Sequence, residues 1–328
     1  MTDMTKQCQW QPTAPLINLH TRAEMLSAIR SFFAKRNVLE VETPLLASAP
    51  VTDPHLVNFE SSFASPLSPE QQSLYLQTSP EYAMKRLLAA GSGCIFQICK
   101  AFRNEEAGRY HNPEFTMLEW YRVGFDHWQL MAEISTLVGE LLSCPAAEQI
   151  SYQEVFIQYL DIDPLESDLQ RVKSACNKLG FAELAAEEDN KDTLLQLLFS
   201  HCIEPEIGQD KPSLIYHFPA SQSALARISK NDPRVAQRFE LYFKGIELAN
   251  GFNELTDATE QAQRFASDNQ QRLKLGRTKA TIDERFLAAL QAGLPNCAGV
   301  ALGLDRLLML KTGADNISET IAFDISRA

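Results

Sequence analysis

The chain has 328 residues, 45% of them hydrophobic and 22% charged, which supplies enough apolar material for one large folded domain and excludes a disordered or fibrous protein. A formal net charge of -12, with Lys and Arg scattered apart from a mild cluster at Lys274, Arg277 and Lys279, argues against a broad nucleic-acid footprint. The seven cysteines form no C-x-x-C pair, so neither a disulfide framework nor a zinc ribbon fits, and free thiols in a reducing cytosol are expected.

In chain order, Met1 to Trp10 is polar and carries no signal-peptide pattern, no run approaches a membrane span, and the first fifteen residues are expected to form a flexible arm. Thr21-Arg22-Ala23-Glu24 has the form of a capping box opening a helix with Met25, Ile29, Phe32 and Phe33 on its apolar side. Val38 to Val41 reads as a short strand closed by Thr43-Pro44. Ser61 to Ser73 is rich in Ser and Pro and reads as a loop, and Leu74 to Gln77 as a strand. Ser79-Pro80-Glu81 reads as a helix start with Ser as N-cap, in a helix ending near Gly91.

Cys94 to Phe102 and Phe115 to Val123 are β-prone and flank a polar loop, a pattern that predicts a long antiparallel hairpin with Met117, Glu119 and Tyr121 on one face. Asp126 to Ser143 reads as a helix, and about 151–205 as a polar helical stretch that fits a structural insertion. Strand character returns at Ser213 to Phe218 and from Arg238 to Ala249, followed by a helix over about Thr256 to Leu275. Gly299 to Leu310 reads as a strand passing into a helix through Gly303, with Gly313 ending it. The lack of regular βαβ spacing predicts an α+β fold on an antiparallel sheet, with residues 16–328 as one catalytic domain.

Three blocks carry chemistry. Phe102-Arg103-Asn104-Glu105 with His111-Asn112-Pro113-Glu114-Phe115 sets an Arg, whose forked donors suit a phosphate, beside an aromatic ring able to stack on a purine. Glu240, Glu247 and Glu254, seven residues apart, suit either magnesium or a substrate ammonium. Gly299-Val300-Ala301-Leu302-Gly303-Leu304-Asp305-Arg306 joins small strand residues to an Arg at a helix start, where it would meet a triphosphate tail. Singly, each block is equally well explained as a salt-bridged hairpin, a charged strand edge or a packed strand–helix turn.

Taken together, the blocks resemble the motifs of class II aminoacyl-tRNA synthetases. Phe33 to Leu45 looks like motif 1, the dimer-forming element. The run Arg103-Asn104-Glu105 to Arg109-Tyr110-His111-Asn112-Pro113-Glu114-Phe115-Thr116-Met117-Leu118-Glu119, with Glu247-Leu248-Ala249-Asn250-Gly251-Phe252-Asn253-Glu254-Leu255, is similar to lysyl-tRNA synthetases. The resemblance covers about residue 16 to the C-terminus. Two departures point to a stand-alone paralogue that modifies elongation factor P: few residues precede the motif 1 helix, which leaves no room for an anticodon-binding OB-fold, and Ala301 stands where the synthetases have glycine.

The resemblance implies activation of (R)-β-lysine with ATP and Mg2+, transfer to a lysine side chain of elongation factor P, a cytoplasmic homodimer, and no tRNA or membrane partner. It implies ATP contacts from Arg103, Asn104, Glu105, His111, Asn112, Phe115, Glu247, Leu248, Gly303 and Arg306, with Arg103 and Arg306 catalytic. Glu240 and Glu247 would hold magnesium. Ser79, Pro80, Glu81, Glu119, Tyr121, Asn250, Phe252, Glu254 and Ala301 would surround the amino acid. The other readings are a lysyl-tRNA synthetase lacking its anticodon domain and charging tRNA, and a non-catalytic module that kept the fold.

Overall fold

The computed structural model describes residues 10–64, 66 and 71–328. Its elements are helix α1 (Leu16–Ala34), strands β1 (Leu39–Glu40), β2 (Leu46–Ala47), β3 (Glu60–Ala64) and β4 (Gln71–Leu76), helix α2 (Glu81–Ala89), strands β5 (Ile95–Phe102) and β6 (Glu114–Val123), and helix α3 (His127–Leu142). Strand β7 (Glu148–Ser151) leads into helices α4 (Tyr152–Leu160), α5 (Leu169–Lys178), α6 (Ala182–Glu187) and α7 (Lys191–Leu198). Strands β8 (Ser213–Tyr216), β9 (Arg238–Phe243) and β10 (Ile246–Asn253), helices α8 (Ala258–Lys274) and α9 (Glu284–Gly293), strand β11 (Cys297–Gly303) and helix α10 (Leu304–Thr312) complete the chain.

The described residues build an eight-stranded sheet in the order β1-β5-β6-β11-β10-β9-β8-β7. Only the outer pairs β1–β5 and β7–β8 are parallel, so this is the expected α+β fold on a mostly antiparallel sheet. Strands β2, β4 and β3 form a small separate sheet.

Period-two alternation sorts the central strands. Leu118, Trp120, Val300 and Leu302 point into a core with Met25, Ile29 and Phe33 of α1, Leu137 of α3 and Leu307 of α10. The alternate residues Glu119, Tyr121, Gly299 and Ala301 face the other way, toward α2, α8 and α9, whose Met84, Phe265 and Phe286 form a second core. Helices α4 to α7 gather around Phe156, Leu195 and Phe199 in a third apolar cluster, backed by Ile215 and Tyr242 of the sheet.

Several expectations are corrected. Helix α1 begins at Leu16 after Pro15, and Thr21 lies inside it, its hydroxyl bonded to the Ile17 carbonyl at 3.1 Å. Leu16 and Ile17 are exposed, so the first turn carries no core-facing pattern. Residues 1–9 of the expected arm lie outside the described residues, whereas Thr13 donates from its backbone N–H to the Ala322 carbonyl at 2.8 Å and Ala14 is buried. The expected loop over Ser61 to Ser73 is instead two strand arms, β3 and the start of β4; both are solvent-facing and lack the apolar alternation that marks a strand, and 65 and 67–70 lie outside the described residues. The run from Arg238 is a hairpin of two strands. Lys244 and Gly245 both adopt positive φ (54° and 69°), the geometry of a tight turn whose twist matches its strands. Helix α2 starts at Glu81 with Pro80 as its N-cap, one residue later than expected. Strand β7 and helix α9 were not foreseen.

Candidate active site

A cleft of about 670 Å³ opens between the pocket-facing side of the sheet and helices α2 and α8. Ser79, Glu81, Arg103, Glu119, Tyr121, Asn250, Phe252, Glu254 and Ala301 all line it; Pro80 does not, and acts as the cap of α2. Register explains the convergence. Ala301 of β11 lies opposite Asn250 of β10 on one side and Glu119 of β6 on the other, and Gly299 likewise pairs with Phe252 and Tyr121. A Cβ at Gly299 would stand 2.3 Å from Tyr121 Cε1 and 2.5 Å from Glu254 Oε1, so only glycine leaves room for both side chains in these positions.

The floor of the cleft is acidic and buried. Tyr121 donates to Glu119 Oε1 at 2.6 Å, while Glu119 Oε2 is buried with no hydrogen-bond partner among the described residues. Burial, then the neighbouring Glu81, pushes the Glu119 carboxyl up to about 8. Burial likewise raises Glu254 to about 7, against the opposing pull of Lys85. Lys85, absent from the sequence-derived set, is 1% exposed and places Nζ 2.7 Å from Glu81 and 2.6 Å from Glu254. Burial works against its charge, but the two carboxylates outweigh that and hold it protonated well above the ordinary lysine range. Its signal in the sequence is the i, i+4 spacing from Glu81.

A second group sits at the motif 2 end. The Arg103 guanidinium lies 5.2 Å from the centre of the Phe115 ring, and its buried Nε has no partner among the described residues. Asn104 is anchored by its N–H to the Val57 carbonyl at 2.8 Å, and Glu105 takes a positive φ of 70° at an exposed turn, 3.3 Å from Arg277. Glu106, also missed, links Arg103 at 3.8 Å with His111 at 3.9 Å. His111 Nε2 meets the Arg306 guanidinium at 2.6 Å; burial, then Arg306, lowers its pKa, which keeps the ring neutral at pH 7.

Arg306, in the first turn of α10, donates to the Glu247 carbonyl at 2.8 Å and the Tyr110 carbonyl at 3.2 Å, with the Glu247 carboxylate 3.9 Å away. These contacts aim a forked cation toward His111.

Other expected residues stand apart. Asn112 is buried with its amide committed to the protein: Nδ2 donates to the Glu114 carbonyl at 2.6 Å and Oδ1 accepts from the Ile325 N–H at 3.1 Å. Leu248 packs in the core, leaving only its backbone for a ligand. Gly303 has an ordinary negative φ and room for a Cβ, whose nearest neighbours would be 3.9 Å away. Glu240 is buried and accepts from Arg238 and from the Tyr242 hydroxyl. Among the described residues no group of three or more His, Cys, Asp or Glu side chains is arranged to hold a metal ion.

The paired arginines, the acidic cleft and the antiparallel sheet agree with a comparison against protein families, in which the model for tRNA synthetases class II (D, K and N) matches residues 13–327. The chain belongs to the class II aminoacyl-tRNA synthetase family. This class II synthetase is also similar, at 58% identity over 325 residues covering 99% of the chain and all of the relative, to the elongation factor P–(R)-β-lysine ligase of Proteus mirabilis (strain HI4320). The protein of that name from Hamiltonella defensa subsp. Acyrthosiphon pisum (strain 5AT) is 57% identical over the same spans. Among the described residues of this synthetase no helix is long and apolar enough to cross a membrane.

Proposed function

We propose that this class II synthetase uses ATP to activate (R)-β-lysine as its adenylate and joins it to a lysine side chain of elongation factor P. The observation that carries the reading is the buried Glu119 carboxylate, one oxygen of which has no partner among the described residues, in a cavity that it lines together with Glu81, Glu254 and Arg103. A buried anion without a partner is costly, and a substrate ammonium supplies one. An amino acid with two ammonium groups meets more of these carboxylates than one with a neutral side chain. The names borne by relatives of the same length support the choice of amino acid and acceptor.

In this reading a substrate carboxylate oxygen attacks the α-phosphorus, pyrophosphate leaves, and no protein nucleophile is required. Arg103 and Arg306 balance the phosphate charge, Phe115 offers its face to the adenine, and Asn104, Glu105 and the Leu248 backbone border the nucleotide. Magnesium, which takes one or two carboxylates and shares itself with phosphates, suits Glu247, whose side chain is 40% exposed, with the buried Glu240 on the neighbouring strand β9 as the second carboxylate. When bound it neutralises phosphate charge. Ser79, Tyr121, Asn250, Phe252 and Ala301 shape the wall around the amino acid. In the second step the acceptor amine, deprotonated from an ammonium of pKa about 10.4, attacks the activated carbonyl and AMP leaves. The homodimer belongs to the same proposal, and the exposed Leu39 and Leu45 of the motif 1 segment support it.

The test is amino-acid-dependent exchange of pyrophosphate into ATP. Exchange with (R)-β-lysine, weaker exchange with lysine and none with norleucine is expected. Exchange driven equally by norleucine would overturn the diamine reading.

A further inference from the structure

Glu81, Glu119 and Glu254 line one cavity, and the Lys85 ammonium lies beneath it, 1% exposed, 2.7 Å from Glu81 and 2.6 Å from Glu254. With all three carboxyls ionised, as when a bound ammonium displaces the proton that burial favours on Glu119, the three carboxylates and one ammonium carry two net negative charges, equal to the two ammonium groups of a diamino acid. Lys85 also packs near the Phe286 ring of α9, 5.8 Å from its centre, so its chain is fixed by apolar as well as ionic contacts. The other titratable or charged groups around it are Tyr121 beside Glu119, Cys297 of β11, and Arg227, which donates to the Glu254 backbone carbonyl.

We propose that Lys85 is a positioning and specificity-determining residue: a built-in counter-ion that sets the charge of the ionised pocket at the value a diamino acid neutralises and favours the ionised form of Glu254 that receives it. The inference rests on the diamine reading of the cleft. The alternative, a purely structural ion pair, differs in its consequences. A purely structural pair supports the fold without setting the pH at which the folded pocket accepts its ligand. A counter-ion controls the pH at which the pocket accepts its ligand, because an opposite charge in contact moves a carboxyl by about 1–3 units. The direction follows from Glu254, whose rise through burial is opposed chiefly by Lys85. Without that ammonium Glu254 holds its proton to a higher pH and loses its acceptor charge across the neutral range.

The experiment is calorimetric binding of (R)-β-lysine to the full chain between pH 6 and 9, with proton release measured from buffers of different ionisation enthalpy. For Lys85→Met, the acid limb of the affinity profile is expected to move up by at least about one pH unit, with binding near pH 9 returning toward the unaltered protein. Lys85→Arg, which keeps the charge, is expected to leave the limb in place. The unaltered protein at pH 8 is expected to release no more than about one proton, from Glu119, on binding. Affinity lost equally at every pH in Lys85→Met overturns the proposal. So does release of two or more protons by the unaltered protein, a result that stands even if Lys85→Met fails to fold. Binding of (R)-β-lysine without transfer to elongation factor P refutes the acceptor reading alone, and equal binding of norleucine by the unaltered protein refutes both readings.

Discussion

Tyr121 and Glu119, two residues apart on strand β6, point to the same side and share a hydrogen bond of 2.6 Å, which fixes one carboxylate oxygen and leaves the other buried without a partner among the described residues. The pair turns a strand's period-two geometry into an oriented acceptor for an ammonium group. A charge-assisted hydrogen bond contributes about 1.5–3 kcal/mol, so Glu119→Gln is expected to raise KM for the diamino acid about 10- to 100-fold while KM for ATP changes little. Steady-state pyrophosphate exchange with each substrate varied in turn checks this.

The raised carboxyls set a pH dependence. Glu119 at about 8 and Glu254 at about 7 lose their charge as pH falls through those values, so diamine affinity is expected to drop as pH is lowered from 9 to 6. In the empty protein the sign on stability is the opposite. A carboxyl whose folded pKa is raised favours the fold most at low pH, and that contribution is lost as pH rises from about 4.3, the unfolded value, through the folded one. Binding and thermal melting measured across the same pH series separate the two effects.

Gly299 is where the cleft tolerates least. Its added Cβ would lie within 2.5 Å of both Tyr121 and Glu254, and overpacking of this kind costs about 1–3 kcal/mol. Gly299→Ala is expected to lower the melting temperature by a few degrees and to abolish diamine-dependent exchange, because both side chains must turn away from the cleft. A variant with unaltered exchange would show that neither side chain needs its present position.

How much of this was legible beforehand depends on what each residue does locally. The hairpin of β5 and β6 announced itself because two β-prone runs bracket a polar loop, and with it came the shared face of Glu119 and Tyr121. Ala301 between Asn250 and Glu119 required β11 to lie between β6 and β10, a long-range pairing that no local pattern states. Lys85 was missed because a lysine four residues after a glutamate reads as a solvated helix pair, and only the helix packing over the cleft buries it. Asn112 is expected among the ATP contacts because of its motif neighbours, and its buried position could not be read from them. The Ile325 N–H that occupies its carbonyl comes from the opposite end of the chain.

Asp305 shows the same dependence on distant partners, here in the service of the fold. Its carboxylate is 1% exposed, accepts from the Thr116 N–H at 2.6 Å and pairs with Arg22 at 2.6 Å, so it ties α1 and α10 to β6 one residue before Arg306. Asp305→Ala leaves the buried Thr116 N–H unpaired and Arg22 with only the Thr116 hydroxyl and the Thr320 carbonyl as partners, and a loss of about 1–3 kcal/mol is expected in denaturant unfolding. A loss under 1 kcal/mol, with Arg306 function intact, would mean that water replaces the carboxylate.

The acceptor is the centre of the functional claim, and it is tested by offering labelled (R)-β-lysine, ATP and magnesium with elongation factor P and bulk tRNA in parallel. Label is expected on elongation factor P, in preference to the same assay with α-lysine, and not on tRNA. Label on tRNA with none on elongation factor P would contradict the account and make this chain a tRNA-charging synthetase.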